Sequence, residues 1–176
     1  MRRFLVMFLT ILAVVFLFSV QLYVVYPETI SHSRTALIVG WYWIRSPGAW
    51  FEWKFSPVSQ VPSIIFINVK ALVTNGTNGG SGYSETVHWK ILDPTNNIPM
   101  MEGKLYLHNP FLPRVSYYTK GLGYTAYGSV GIKLPVNVRE IIRNRGFKFR
   151  VTWPGEHRYH VAFNKDPKYL FLVYEK

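Results

Sequence analysis

The sequence predicts an all-β fold, an antiparallel β-sandwich with one short crossover helix, preceded by an N-terminal transmembrane helix. Three observations predict it. Phe4 to Tyr26 carries no charge, and Thr10, Ser19 and Gln21 are its only clearly polar side chains. Beyond Pro27 apolar residues recur with period two almost everywhere, the pattern of strands with one covered face. Turn signals interrupt that pattern every 8–12 residues or so, as in sandwiches.

The leading run comes first. As a helix it would be roughly 30 Å long, the thickness of a bilayer's hydrocarbon core. Met1-Arg2-Arg3 places positive charge on one side, which keeps the N-terminus cytoplasmic and sends the rest of the chain across. Tyr23 and Tyr26 fall where an interfacial aromatic belt belongs, and Pro27 ends the helix. A cleaved signal peptide is the competing reading, but its apolar region usually runs only about 7–15 residues before a small-x-small site. The expected organisation is a signal-anchor over 1–27 with residues 4–26 in lipid, a juxtamembrane linker over 28–35, and an extracytoplasmic sandwich over 36–176.

In the body, Ala36–Arg45 is apolar on both faces and reads as a central strand or one lying close to the membrane. Phe51, Trp53 and Phe55 alternate with Glu52 and Lys54. Ile65, Ile67, Val69, Ala71 and Val73 line one face of the next strand, and Asn75–Gly82 is a hairpin tip. Val87, Trp89 and Ile91 point inward from the returning strand, and Asp93-Pro94-Thr95-Asn96-Asn97 turns it. Leu105 and Leu107 mark a short strand, and Val115–Lys120 and Tyr124–Leu134 follow. Gly128 and Gly131 in the second predict a bulge. Asn137 and Glu140 have capping-box spacing, Val138, Ile141 and Ile142 give one apolar stripe, and Gly146 suits the helix stop. Phe147, Phe149, Val151 and Trp153 then alternate with Lys148, Arg150 and Thr152, and His157–Phe163 and Tyr169–Tyr174 complete the set. A jelly roll or barrel is the alternative architecture.

Composition narrows the chemistry. The chain is 49% hydrophobic and 17% aromatic, enough for one well-filled core. It has no Cys, which removes disulfides, thiolate nucleophiles and Cys-ligated metals. The net charge is +11, and from Lys104 onward Lys and Arg outnumber Asp and Glu thirteen to four. Such a surface attracts lipid headgroups, acidic glycans or other anions; nucleic acid is the least expected partner for a domain outside the cell.

Candidate sites are few. Arg139, Arg143, Arg145, Lys148 and Arg150 are the densest basic cluster and the candidate contact for an anionic ligand or a partner. Trp41, Trp43 and Trp50, amid Tyr42, Phe51 and Trp53, are the candidate interface aromatics near the membrane. Asn75-Gly76-Thr77 is a glycosylation sequon. His157 and His160 point to opposite faces of a strand and cannot share a metal without a bulge. His88 and His108 both face outward and are candidates to meet across strands. Neither a metal site nor a cofactor is predicted. The few carboxylates fall at caps, turns and polar strand faces, so no acid–base pair for catalysis is predicted.

The segments Trp89-Lys-Ile-Leu-Asp93-Pro94, Phe149-x-Val151-x-Trp153-Pro-Gly155 and Tyr159-x-Val161-x-Phe163-Asn164 resemble GOLD-type and immunoglobulin-like sandwich domains of the secretory pathway. The resemblance covers Val87 to Asn164 and implies a sandwich with an interaction role. The function expected from the sequence is a membrane-anchored, non-catalytic structural or interaction subunit of an envelope or membrane assembly, with other protein subunits and the bilayer as partners. A binding module for a lipid headgroup or glycan is the first alternative; a metal-binding or enzymatic sandwich using His88, His108, His157 or His160 is the second.

Overall fold

The computed structural model describes residues 22–74, 84–108, 118–119, 123–152, 160–166 and 170–175. In chain order these form β1 (Leu22–Val25), β2 (Thr29–Ser33), β3 (Ala36–Ile38), β4 (Trp41–Ile44), β5 (Trp50–Phe55), β6 (Ile64–Thr74), β7 (Ser84–Leu92), β8 (Pro99–His108), β9 (Tyr118–Thr119), β10 (Gly123–Lys133), the helix α1 (Val136–Arg145), β11 (Phe147–Thr152), β12 (His160–Asn164) and β13 (Leu170–Glu175).

The strands form one antiparallel sheet in the order β2-β5-β11-β7-β8-β10-β6-β12-β4-β3, with β13 and β1 branching from β6, and β9 from β10. β6 organises it. One edge of β6 pairs with β10 from Val73↔Tyr124 to Ile64↔Lys133. The other edge is shared, with Ile65 to Val69 on β13 and Leu72 to Thr74 on β12. The predicted two-sheet sandwich appears instead as a single sheet curled into a half-barrel. Phe51 and Trp53 of β5 pack against Phe163 of β12, ring centroids 5.6 and 5.1 Å apart. His32 of β2 lies 4.2 Å from the Tyr42 ring of β4. Strands at opposite ends of the sheet order therefore face each other across one interior.

That interior follows from the alternation. Phe147, Phe149 and Val151 are fully buried while Lys148, Arg150 and Thr152 between them are half-buried on the outward face. Ile65, Ile67, Val69, Ala71 and Val73 turn inward as predicted. Phe55 stacks on Phe147 at 4.6 Å, and Trp53 and Trp89 both pack on Phe149. A second, smaller apolar cluster of Trp41, Trp43, Leu72 and Ala162 forms across β4, β6 and β12.

Several expectations are corrected. Ala36–Arg45 is a hairpin at one end of the sheet, not a central strand. Val39 and Gly40 both take positive φ, 47° and 78°, and Ile38 pairs with Trp41 across them. Two consecutive left-handed residues make the tight turn whose twist matches a hairpin. The expected linker over 28–35 contains β2, which pairs with β5 from Thr29↔Lys54 to Ser33↔Trp50. The last residues of the apolar run, expected to be helical through Tyr26, form β1 and pair with β13 from Leu22↔Glu175 to Val25↔Leu172. Residues 4–21 of the expected span lie outside the described residues. Among the described residues no helix is long and apolar enough to cross a membrane.

β10 has no bulge, because its register against β6 is unbroken. Its glycines serve close approach. A Cβ on Gly128 would lie 2.8 Å from the Tyr106 carbonyl oxygen, and one on Gly131 would meet the Phe66 ring at 2.9 Å. In α1 the predicted capping box does not form. The helix starts two residues earlier, with Pro135 rather than Asn137 at the cap position, and no side chain caps it. Its far end is as predicted: Gly146 takes φ 76° and donates its N–H to the Ile142 carbonyl. Val138 and Ile142 seat the helix on the core.

Candidate functional site

The predicted basic cluster is divided by the sheet register. β11 lies between β5 and β7, so Arg150 sits opposite Glu52 on one side and Lys90 on the other. Extending the row through β2 and β8 gives Ser31, Glu52, Arg150, Lys90 and Glu102 across five strands. Directly opposed side chains on one sheet face interact: Glu52 meets Arg150 and Glu102 meets Lys90 favourably, while Arg150 and Lys90 set two like charges opposite each other at the centre.

Glu52 is the centre of the row. Its residue is 2% exposed although it lies on the outward face. Arg150 donates from Nε and reaches with Nη2 to the same Oε2, both at 2.7 Å. Lys148 Nζ lies 3.4 Å from Oε1, and the Ser31 hydroxyl donates to Oε1 at 3.1 Å. The Arg150 guanidinium also lies over the Trp50 ring, 4.3 Å from its centroid. A carboxylate taken out of water is tolerable only with such partners. Lys148 additionally donates to Asn97 Oδ1 at 2.7 Å, joining β11 to the β7–β8 turn. In that turn Asp93, 5% exposed, is paired with Arg145 at 3.0 Å. Asp93 also accepts the Thr95 N–H, which fixes the turn.

Three of the five predicted contact residues, Arg145, Lys148 and Arg150, are thus engaged by carboxylates of the fold. Arg139 and Arg143, one helical turn apart on α1, make no ion pair among the described residues. The sequence shows Glu52 only as the polar position in an apolar alternation. Its pairing with Arg150, 98 positions later, carries no local signal.

The predicted interface aromatics separate in the same way. Trp41 and Trp43 are 8% and 3% exposed and fill the smaller apolar cluster, so they form no exposed belt. Trp50 is half-buried beneath Arg150. Asn75 and His157 lie outside the described residues. His88 and His108 share the outward face but do not meet, because the β7–β8 register sets His88 opposite Lys104 and His108 opposite Ser84. His108 stacks on Tyr106 at 5.4 Å. Among the described residues no group of three or more His, Asp or Glu is placed to hold a metal ion.

A hollow of about 250 Å³ opens between β7 and β8, lined by His88, Trp89, Lys90, Glu102, Gly103 and Lys104. It exists because Gly103 has no side chain: a Cβ there would be 2.6 Å from Trp89 Cζ2. The indole lies across the glycine and donates from Nε1 to the Lys104 carbonyl at 3.1 Å. Lys90 and Glu102 pair across the hollow at 3.2 Å. Among the described residues His160 of β12 is the group whose proton affinity is clearly altered. Burial, aided by the Arg45 charge, lowers its pKa, and its Nδ1 is buried with no partner among the described residues.

No protein-family model and no curated protein matches the sequence.

Proposed function

We propose that the chain is a membrane-anchored, non-catalytic interaction subunit of an envelope or membrane assembly. The uncharged segment 4–21 holds it in the bilayer, and the curled sheet acts on the extracytoplasmic side. The single observation that supports this best is that the uncharged run from Phe4 to Tyr26 continues into the sheet with no charged residue between. Leu22 is the first residue of β1, and β1 is hydrogen-bonded into the sheet through β13.

Two further features fit a structural role. The buried carboxylates Glu52 and Asp93 are spent on ion pairs that join strands and turns. Among the described residues the two halves of the sheet are joined through the single pair Tyr127↔His108 between β10 and β8, so they can act as two layers of a sandwich. The resemblance of the Trp89–Pro94, Phe149–Gly155 and Tyr159–Asn164 segments to GOLD-type and immunoglobulin-like domains suggests the same kind of role.

The test is membrane fractionation of cells producing the full chain with a C-terminal tag. The protein should stay in the membrane pellet through alkaline carbonate, and protease added outside intact cells should remove the tag. Release by carbonate, or a tag protected until the cells are lysed, would overturn the reading.

A further inference from the structure

We infer that the outward face of β1, β13 and β6 docks flat on the bilayer surface, so that the membrane is the partner of this half of the sheet. The inference rests on the anchored reading and goes beyond it, because an anchored domain is free to stand off the lipid on any face.

The face is unusual for one turned to water. Along β6, Ile65, Ile67 and Val69 point into the core, which places Ile64 and Phe66 outside at 44% and 45% exposure. Two strands away, Val24 of β1 is 49% exposed and Tyr26 just beyond it 53%. The registers Val24↔Val173 and Val173↔Phe66 put Val24 and Phe66 in one cross-strand row, about 10 Å apart at the usual strand spacing. Gly131 continues the row, and the Phe66 ring lies over it. Clustered apolar side chains of this kind on an outward face mark a surface that something covers.

Two observations select the bilayer as that occupant. The first is connectivity. The uncharged run extends from Phe4 through Tyr26, so Val24 and Tyr26 of this face belong to the run itself. If the segment enters lipid, the apolar face cannot be far from the headgroups. The second is charge. Lys133 is opposite Ile64, and the Lys70 amine lies 5.9 Å over the Tyr127 ring farther along the same face. An apolar centre with tyrosines and lysines at its margin matches the layering of a membrane surface, where aromatic rings settle at headgroup depth and lysines meet anionic lipid. The opposite part of the sheet carries the charged row of Glu52, Arg150, Lys90 and Glu102 on its outward face.

The chain has no Cys, so one introduced residue gives a unique label. The full chain carrying Ile64→Cys, and separately Val24→Cys, is spin-labelled and reconstituted into vesicles of phosphatidylcholine and phosphatidylglycerol. Lys54→Cys, on β5 at the far side of the sheet order, is the aqueous reference. Labels at 64 and 24 should gain collisions with oxygen and lose collisions with a water-soluble nickel chelate relative to the label at 54. Labels at both positions as open to nickel as the reference would overturn the docking. Labels shielded from both reagents would overturn it too, because protein, either segment 4–21 folded back or a second copy, would then cover the face. Carbonate extraction of the same vesicles separates the two claims. Retention with aqueous labels removes the docking alone, whereas release removes the anchor and the docking together.

Discussion

Replacing Arg150 with Met removes the guanidinium while keeping most of the aliphatic stem, and it should be costlier than neutralising the carboxylate it serves. Glu52 is 2% exposed, and two nitrogens of Arg150 lie 2.7 Å from one of its oxygens. Removing one partner of a buried ion pair typically costs about 3–5 kcal/mol, because the remaining charge is left uncompensated. Lys148 and Ser31 still contact the other oxygen, which places Arg150→Met near the lower end, about 3 kcal/mol. Loss of the contact with the Trp50 ring adds roughly 0.5–1 kcal/mol. Glu52→Gln leaves two cations whose side chains are already 23% and 20% exposed and can turn toward water. Its cost should therefore be smaller, roughly 1–2 kcal/mol. The double variant should lose less than the sum of the two, since each single change removes the same contact. The assay is urea unfolding of the detergent-solubilised full chain, followed by tryptophan fluorescence and read at a constant slope. An Arg150→Met loss smaller than that of Glu52→Gln, or strictly additive losses, would refute the reasoning.

Four further outcomes are expected. Val39→Asn should stabilise the chain by about 1 kcal/mol, because a β-branched residue is strained at positive φ and Asn is not; an unchanged or lowered melting temperature contradicts that account. Gly146→Ala should cost roughly 3 kcal/mol or abolish folding, since φ is 76° and a Cβ would lie 2.1 Å from the Phe55 carbonyl oxygen; near-native urea stability would count against it. Gly103→Ala should displace the Trp89 indole, lose its bond to Lys104 and cost about 1–3 kcal/mol, with a changed near-ultraviolet circular dichroism spectrum as the check. His160 is held neutral in the fold while the unfolded chain takes up its proton at the ordinary 6.5, so stability should fall as the pH is lowered from above that value through the depressed folded-state pKa and then level off. His160→Gln should flatten this step, and an unchanged profile would assign the dependence to other groups.

What the sequence discloses is the side-chain period, and what it hides is pairing at long range. The inward sets of β6, β7 and β11 are legible because one covered face writes apolar residues at every second position. The stop of α1 at Gly146 is legible because few residues take positive φ there. The β3–β4 turn is not, because Val39-Gly40 lacks the Asn or Asp that signals such turns, and the apolar run continues through it. Asn137 has the residue types of a cap but falls inside a helix that Pro135 starts earlier. The basic cluster is legible as composition only. Its partners Glu52 and Asp93 are brought to it by the placement of β11 between β5 and β7, a non-local choice with no signature in either segment.

The edges of the sheet bear on how it can meet a partner. An exposed strand edge recruits other strands, and native sheets blunt it by shortness or irregularity. β2 and β3 end the sheet, and each is short, five residues and three. The chain then covers the gap between the two ends with aromatic contacts. His32 of β2 lies on Tyr42 of β4, and Tyr42 packs on Phe51 of β5 at 5.6 Å. Ring packing closes the curl without offering a backbone ladder to another chain. Association through strand addition is therefore disfavoured at these two ends, and the outward faces offer further contact surface. The two halves of that surface differ. The β5–β11–β7–β8 half is cross-linked by charge pairs that already satisfy one another. The β1–β13–β6 half presents Val24, Ile64 and Phe66, whose exposure to water is unfavourable at about 25 cal/mol per Å² of apolar surface. That asymmetry gives the domain an up and a down, and the apolar side is the one to which the leading segment is attached.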